Sequence, residues 1–166
     1  MQLTRFSDYG LRVMMYLATH PEQRVSAGEI ASAYSISTGH VAKVVHLLAA
    51  EGFVETRRGR DGGIELARSA GSIGLGELLR ATELGAPLVE CFDRDTNACP
   101  VAGACGLERS LHRAQRAFFA SLDESTLADV VRTPKDFISA LSLSRQSSRA
   151  SQSRRTMLPR RSGPKS

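Results

Sequence analysis

Residues 25–45 read Val25-Ser26-Ala27-Gly28-Glu29-Ile30-Ala31-Ser32-Ala33-Tyr34-Ser35-Ile36-Ser37-Thr38-Gly39-His40-Val41-Ala42-Lys43-Val44-Val45. Two helix starts lie in this stretch. Ser26, followed three residues on by Glu29, forms a capping box in which each side chain satisfies a free amide at the helix start. The short helix that follows runs through Ala31 to Tyr34 and ends in a turn at Ser35-Ile36. Ser37 then caps a second helix from Thr38 to Glu51, with Val41, Val44, Val45 and Leu48 along one side. Gly52 supplies the left-handed position that closes it. Two short helices joined by so tight a turn form a helix-turn-helix. That motif lays the first residues of its second helix in the major groove of DNA. Here those residues are Ser37, Thr38, Gly39, His40 and Lys43, all small or polar.

Working outward toward the C-terminus, Phe53-Val54-Glu55-Thr56-Arg57 alternates as a strand does, and Ile64-Glu65-Leu66 follows after the Gly-rich turn Arg58-Gly59-Arg60-Asp61-Gly62-Gly63. The pair reads as a β-hairpin wing with Arg57, Arg58 and Arg60 at its tip, where glycines let the backbone approach a phosphate. Lys43 and the three arginines are expected to hold phosphates of double-stranded DNA, with Ser37, Thr38 and His40 against base edges. Toward the N-terminus, Leu11, Met14, Met15 and Ala18 recur at helical spacing over a helix beginning at Ser7, with Ser7 or Asp8 as its cap. Asp8 thus has two readings, a capping carboxylate or an unpaired oxygen ligand.

Beyond the wing, Ser72 to Glu83 reads as a helix with Ile73, Leu75, Leu78 and Leu79 inward, ended by Gly85 and Pro87. Leu107 to Leu122 carries the longest helical pattern, with Leu107, Leu111, Ala114, Phe118 and Leu122 as its stripe. A helix so long beside so few other core elements calls for a second subunit, as two-fold dimers on palindromic operators provide. Thr126 to Leu143 adds a final helix interrupted at Pro134. The expected fold is mainly α with a small β-hairpin. It comprises a winged helix-turn-helix DNA-binding region over 1–83, a cysteine-rich loop over 84–106, a dimerisation helix and C-terminal helix over 107–143, and a disordered basic tail over 144–166.

The charge belongs to that tail. The whole chain of 166 residues has 22 Lys and Arg against 17 Asp and Glu. Residues 144–166 hold seven of the bases and no acid, leaving 15 basic and 17 acidic residues in 1–143. Total charge therefore says nothing about DNA binding by the folded body; only its contact face need be positive. No apolar run follows a basic N-terminal region, and no stretch of about 18 apolar residues is present to span a membrane. The expected location is the cytoplasm, where thiols stay reduced.

All three cysteines, Cys91, Cys99 and Cys105, fall in a polar segment rich in Gly, Pro, Asn and Asp. An odd count in a reducing compartment does not suit a disulfide framework. Three thiols on one irregular loop can turn to a common point, and thiolates favour iron–sulfur clusters, zinc or copper(I); redox-active thiols are the other reading. One further ligand must come from outside the loop. His112 would complete a Cys₃His zinc site on the same fold. An enzyme is a poorer reading, because no base is placed beside a thiol and no Gly-rich pocket motif occurs.

Several segments together resemble the NsrR family of nitric-oxide-sensing repressors and, more distantly, the related IscR regulators. They are Leu3-Thr4-Arg5-Phe6-Ser7-Asp8-Tyr9, Gly39 to Val45, Arg58 to Ile64, Glu83, Val89-Glu90-Cys91-Phe92 with the spacing on to Cys99 and Cys105, and Thr126-Leu127-Ala128-Asp129. The likeness runs from Met1 to about Val131. It implies a homodimeric repressor whose three cysteines bind an iron–sulfur cluster, 4Fe-4S with 2Fe-2S as the alternative, so that 84–106 becomes the cluster loop. In some members of that family the fourth ligand is an aspartate from the first helix of the other subunit, which falls on Asp8. IscR-like proteins carry a histidine three residues after the third cysteine; this chain has Glu108 there, which favours the NsrR likeness. The resemblance further implies that nitric oxide is the signal and that operators of nitrosative-stress genes are released. An IscR-type regulator of iron–sulfur or redox status, or a zinc or thiol-redox factor, is the alternative. The tail lies outside the likeness.

Overall fold

The computed structural model describes residues 3–83, 87–133 and 135–141. Expectations for Gly85, Pro134 and the tail over 144–166 lie outside those residues. The order of elements is α1 (Arg5–Ala18), α2 (Ala27–Tyr34), α3 (Thr38–Ala50), β1 (Val54–Arg57), β2 (Gly63–Leu66), α4 (Leu75–Thr82), α5 (Gly106–Asp123) and α6 (Leu127–Val130). A further helical segment covers 135–141. Among the described residues no helix is long and apolar enough to cross a membrane.

The helix-turn-helix forms as its caps dictate. Ser26 accepts the Glu29 amide while Glu29 accepts the Ser26 amide at 2.7 Å, and Ser37 accepts the His40 amide. Between them Ser35 adopts the left-handed conformation (φ 55°) that lets α2 turn into α3, and Gly52 (φ 73°) closes α3. Val41, Val44, Val45 and Leu48 are buried, and Phe53 seals the end of α3 against the wing. Each such side chain removed from water contributes about 1.5–3 kcal/mol. β1 and β2 pair antiparallel, Val54 opposite Leu66 and Arg57 opposite Gly63. The hairpin is pinned back onto the chain before α2 by a bridge between Val25 and Ile64 and by an Arg24–Glu65 ion pair at 3.0 Å.

At α1 the sequence expectation needs correction. The cap is Thr4, not Ser7 or Asp8: its hydroxyl accepts the Ser7 amide at 3.1 Å and its carbonyl accepts the Asp8 amide at 3.0 Å. Asp8 therefore sits a turn inside the helix. The buried face is Ser7, Gly10, Val13, Met14, Tyr16 and Leu17, while Leu11 and Met15 are only partly covered. Two small residues that a count of apolar side chains passes over set that face. Gly10 lies where an added Cβ would stand 3.0 Å from Thr82 Cγ2, so α1 and α4 approach closely. α1 also packs on α3, α2, α6 and β2, which makes it the hub of the fold.

The helix expected from Ser72 begins at Leu75, because residues 70–72 form a tight 3₁₀ turn first. Its inner face holds Gly76, Leu78, Leu79 and Thr82, with Ile73 buried just before it and Leu75 half-covered. α5 returns along α4 and the chain after it joins the segment before α4. Leu75 donates to the Ser125 carbonyl at 3.0 Å and Leu127 to that of Ile73 at 2.8 Å. At 18 residues against eight, α5 is about 27 Å long and α4 about 12 Å, so the first half of α5 projects beyond its neighbour. No residue of α5 is buried.

Candidate functional site

Two candidate surfaces stand out, the start of α3 with the wing and the thiol loop. On the first, Ser37, Thr38, Gly39, His40, Ala42 and Lys43 are exposed at the start of α3, and Arg57, Arg58 and Arg60 are exposed at the wing. The Ser37 hydroxyl is committed: it accepts the His40 amide and lies 2.7 Å from His40 Nδ1. One hydroxyl both caps α3 and touches the His40 ring. Ser37 thus orients His40 rather than standing free. His46, one turn further along the same outward face, is exposed as well. The residues expected at DNA end at Lys43 and do not include His46, although the 39–42/43–46 spacing carries the signal.

α1 touches both helices of the motif. The Tyr9 ring lies 5.9 Å from that of His40. Arg12 holds Asp8 through two contacts, Nε to Oδ1 at 3.0 Å and Nη2 to Oδ2 at 2.9 Å, and its guanidinium sits 5.7 Å from the centre of the Tyr34 ring at the end of α2. The start of α1 is tied to the end of α4, since the Thr4 amide donates to Glu83 Oε1 at 2.8 Å.

The second surface is the thiol loop. Cys91 lies in a 3₁₀ turn over Glu90–Phe92, Cys99 donates its amide to Asn97 Oδ1 at 2.9 Å, and Cys105 takes the N-cap position of α5. All three thiols are free and half-buried. Burial pushes the Cys91 thiol up from its ordinary pKa, and the charges of Glu108, Cys99 and Cys105 push it further. The charges of Cys99 and Cys105 thus both reach Cys91, and a cationic centre beside it would offset their effect. Among the described residues no three His, Cys, Asp or Glu side chains close around one point fit for a single metal ion. A zinc ion needs every thiolate about 2.3 Å from one centre, whereas a cluster offers each thiolate its own iron; three thiols on one loop are a donor set for a soft centre of either kind. The His112 ring does not join the thiols in a trio. It stacks on Phe92, centroids 3.7 Å apart and planes 8° from parallel, and so fastens the loop to α5. Glu108 accepts the Gly103 amide at 3.2 Å.

A helix-turn-helix with an exposed basic wing, carrying a thiol loop that suits a soft metal centre, defines a DNA-binding transcriptional regulator. Comparison with known proteins agrees: the family model Rrf2, described as an iron-dependent transcriptional regulator, matches residues 3–133. The chain belongs to the Rrf2 family and, as a regulator, is not an enzyme. It is 42% identical over 144 residues to the HTH-type transcriptional regulator NsrR of Bacillus subtilis, covering 86% of this chain and 99% of that one. With NsrR of Geobacillus kaustophilus the identity is 43% over 132 residues, covering 79% and 90%. The expected likeness to NsrR is thereby shown. Among solved structures, T. potens IscR aligns with a TM-score of 0.63 at 26% identity, over 82% of this chain and 90% of that one. CymR, the global cysteine regulator of B. subtilis, aligns at 0.61 and 26%, over 80% and 97%.

Proposed function

We propose that the protein is a homodimeric, cytoplasmic repressor that binds a palindromic operator and answers to nitric oxide through an iron–sulfur cluster of the 4Fe-4S type. The observation that carries this reading is the set of three free, half-buried thiols on one loop fastened to α5, in a chain otherwise built as a winged helix-turn-helix. Cys91, Cys99 and Cys105 would hold the cluster with Asp8 of a second subunit. When bound, it supplies iron at which nitric oxide reacts.

The remaining work falls to the chain. As a carboxylate, Asp8 is the weakest donor of the set for a soft centre, and Arg12 competes for it at 2.9 Å. Release of Asp8 uncouples α1 from the thiol loop, and α1 packs directly on α3. The two-state element is then the relative placement of the two recognition helices. Lys43, Arg57, Arg58 and Arg60 neutralise phosphates, while Thr38 and His40, the latter set by Ser37, meet base edges. The half-covered α5 supplies the dimer contact. The region 1–83 thus serves as the DNA-binding part, 84–106 as the sensor and 107–143 as the dimerisation part.

The test is anaerobic purification, iron and sulfide determination, a visible spectrum, and operator footprinting with and without nitric oxide. A coloured protein whose footprint vanishes with nitric oxide is expected. A colourless protein containing zinc, or a footprint indifferent to nitric oxide, would overturn the reading.

A further inference from the structure

We infer that Glu90 is a positioning residue for the thiol loop: its carboxylate clasps the amide of Ala98 and so sets Cys91 and Cys99 in the register that one cluster requires. The inference rests on the iron–sulfur reading above. Glu90 immediately precedes the first cysteine and Ala98 the second, and Glu90 Oε1 accepts the Ala98 amide at 2.8 Å. The two cysteines therefore leave neighbouring anchor points although seven residues separate them in sequence.

The chain between those anchors is folded to fit. Asp93 Oδ1 accepts the Asp95 amide at 3.0 Å, Asp93 Oδ2 accepts the Thr96 hydroxyl at 2.7 Å, and the Asp93 carbonyl accepts the Asn97 amide at 3.1 Å. The Asn97 side chain then takes the Cys99 amide. Those bonds shape the turn, but among the described residues only the Glu90 clasp joins its two ends. The loop has no buried residue to hold it shut, so a specific bond must offset its closure entropy. No Lys, Arg or His among the described residues pairs with Glu90, which leaves the clasp as what its carboxylate does. Groups that orient ligands from just outside a metal site typically change its affinity by about 10–100-fold when removed.

The test uses the full chain as wild type, Glu90→Ala and Glu90→Gln. Amide hydrogen exchange at residue 98 is followed in the cluster-free proteins. Each is then reconstituted anaerobically with ferrous iron and sulfide, and the rate at which EDTA bleaches the visible absorbance is measured. In Glu90→Ala the amide should exchange roughly tenfold faster, and bleaching should accelerate about tenfold. Glu90→Gln should return both to near the wild-type values, because its amide oxygen accepts the same bond. Glutamine is a poor stand-in for an iron-binding carboxylate, so its rescue separates positioning from ligation. Wild-type bleaching rates in Glu90→Ala, or a Glu90→Gln protein as labile as Glu90→Ala, would overturn the inference while leaving the cluster reading intact. A wild type that takes up no iron would overturn the cluster reading, and the inference with it, even with the Ala98 amide protected as expected.

Discussion

Asp8 is the residue on which the ligand reading turns, and its place inside α1 makes the test cleaner than a capping role would have. Thr4 already caps the helix, so Asp8 owes the fold only its exposed pair with Arg12, a contact of the i,i+4 kind worth about 0.3–0.5 kcal/mol. Asp8→Asn should leave urea unfolding almost unchanged while shifting the visible spectrum of the loaded protein and weakening its footprint. Equal spectra and footprints would confine Asp8 to its partnership with Arg12. Gly39 offers a second test. It sits in the first turn of α3, outside the left-handed region, and a Cβ there would meet nothing within 4 Å. The chain gains nothing internally from a glycine that destabilises a helix by up to about 1 kcal/mol relative to alanine. Gly39→Ala should therefore stabilise the fold by about 0.4–1 kcal/mol yet weaken operator binding, because the missing methyl leaves room for DNA. Tighter binding together with higher stability would show that nothing approaches that point. Legibility at this scale follows locality. The caps at Ser26 and Ser37 act within three residues and could be read directly. The Thr4 cap is not legible in this way, because the apolar pattern of α1 starts only several residues after it.

Between elements, the seam of α4 and α5 shows what a pattern of apolar residues cannot carry. The sequence stripe Leu107, Leu111, Ala114, Phe118, Leu122 located the helix correctly. The side facing the body is instead Leu111, Gln115, Phe118, Phe119 and Leu122, with Leu107 64% exposed and Ala114 open to solvent. The rotation follows from a long-range contact. Arg80 grips Asp123 through two bonds of 2.7 Å and lies 4.5 Å from the centre of the Phe119 ring. Gly76 is what lets that fork lie across α4, since a Cβ there would overlap the Asp123 carboxylate. Hydrogen bonding from Arg80 holds the Asp123 carboxyl below its usual range, and bonds from Arg132 and Thr126 do the same for Asp129. A depressed carboxylate stabilises the fold above its unfolded pKa of about 3.9 and loses that contribution as pH falls through the folded value. The native state should thus lose stability below about pH 4. Asp123→Asn should lower stability at neutral pH and flatten that acid limb, as read by urea titrations from pH 7 down to pH 2.5. An unchanged slope would place the acid sensitivity elsewhere. The thiol loop was legible only as an address: the cysteines and their spacing were plain, while Glu90–Ala98 and Phe92–His112 join residues that no periodicity relates.

Over the whole molecule, charge sorting matters more than the sum. The 15 basic and 17 acidic residues of 1–143 nearly cancel, yet Lys43, Arg57, Arg58 and Arg60 are all exposed on the helix-turn-helix and its wing, while Glu90, Asp93 and Asp95 gather on the loop. α5 has a different kind of consequence. Its eighteen residues contribute none to the fully buried interior of their own chain; its second half is held to α4 through Arg80–Asp123 and Phe119, while Leu107 near its start is 64% exposed. A lone copy therefore holds the first half of α5, and through the Phe92–His112 stack the thiol loop, less firmly than the second half. If α5 pairs with a second copy as proposed, mass action would act as a second input beside the chemical signal, and abundance would decide how many copies have a finished sensor. The thermal midpoint should climb with protein concentration, as it does for any fold completed by its partner, and the loss of the Phe92–His112 contact should track dissociation rather than global unfolding. A midpoint constant over a hundredfold dilution would mean that each chain completes α5 alone. Where the midpoint does climb, a cell that has only begun to make the regulator passes through an interval in which the chain is present but unable to respond.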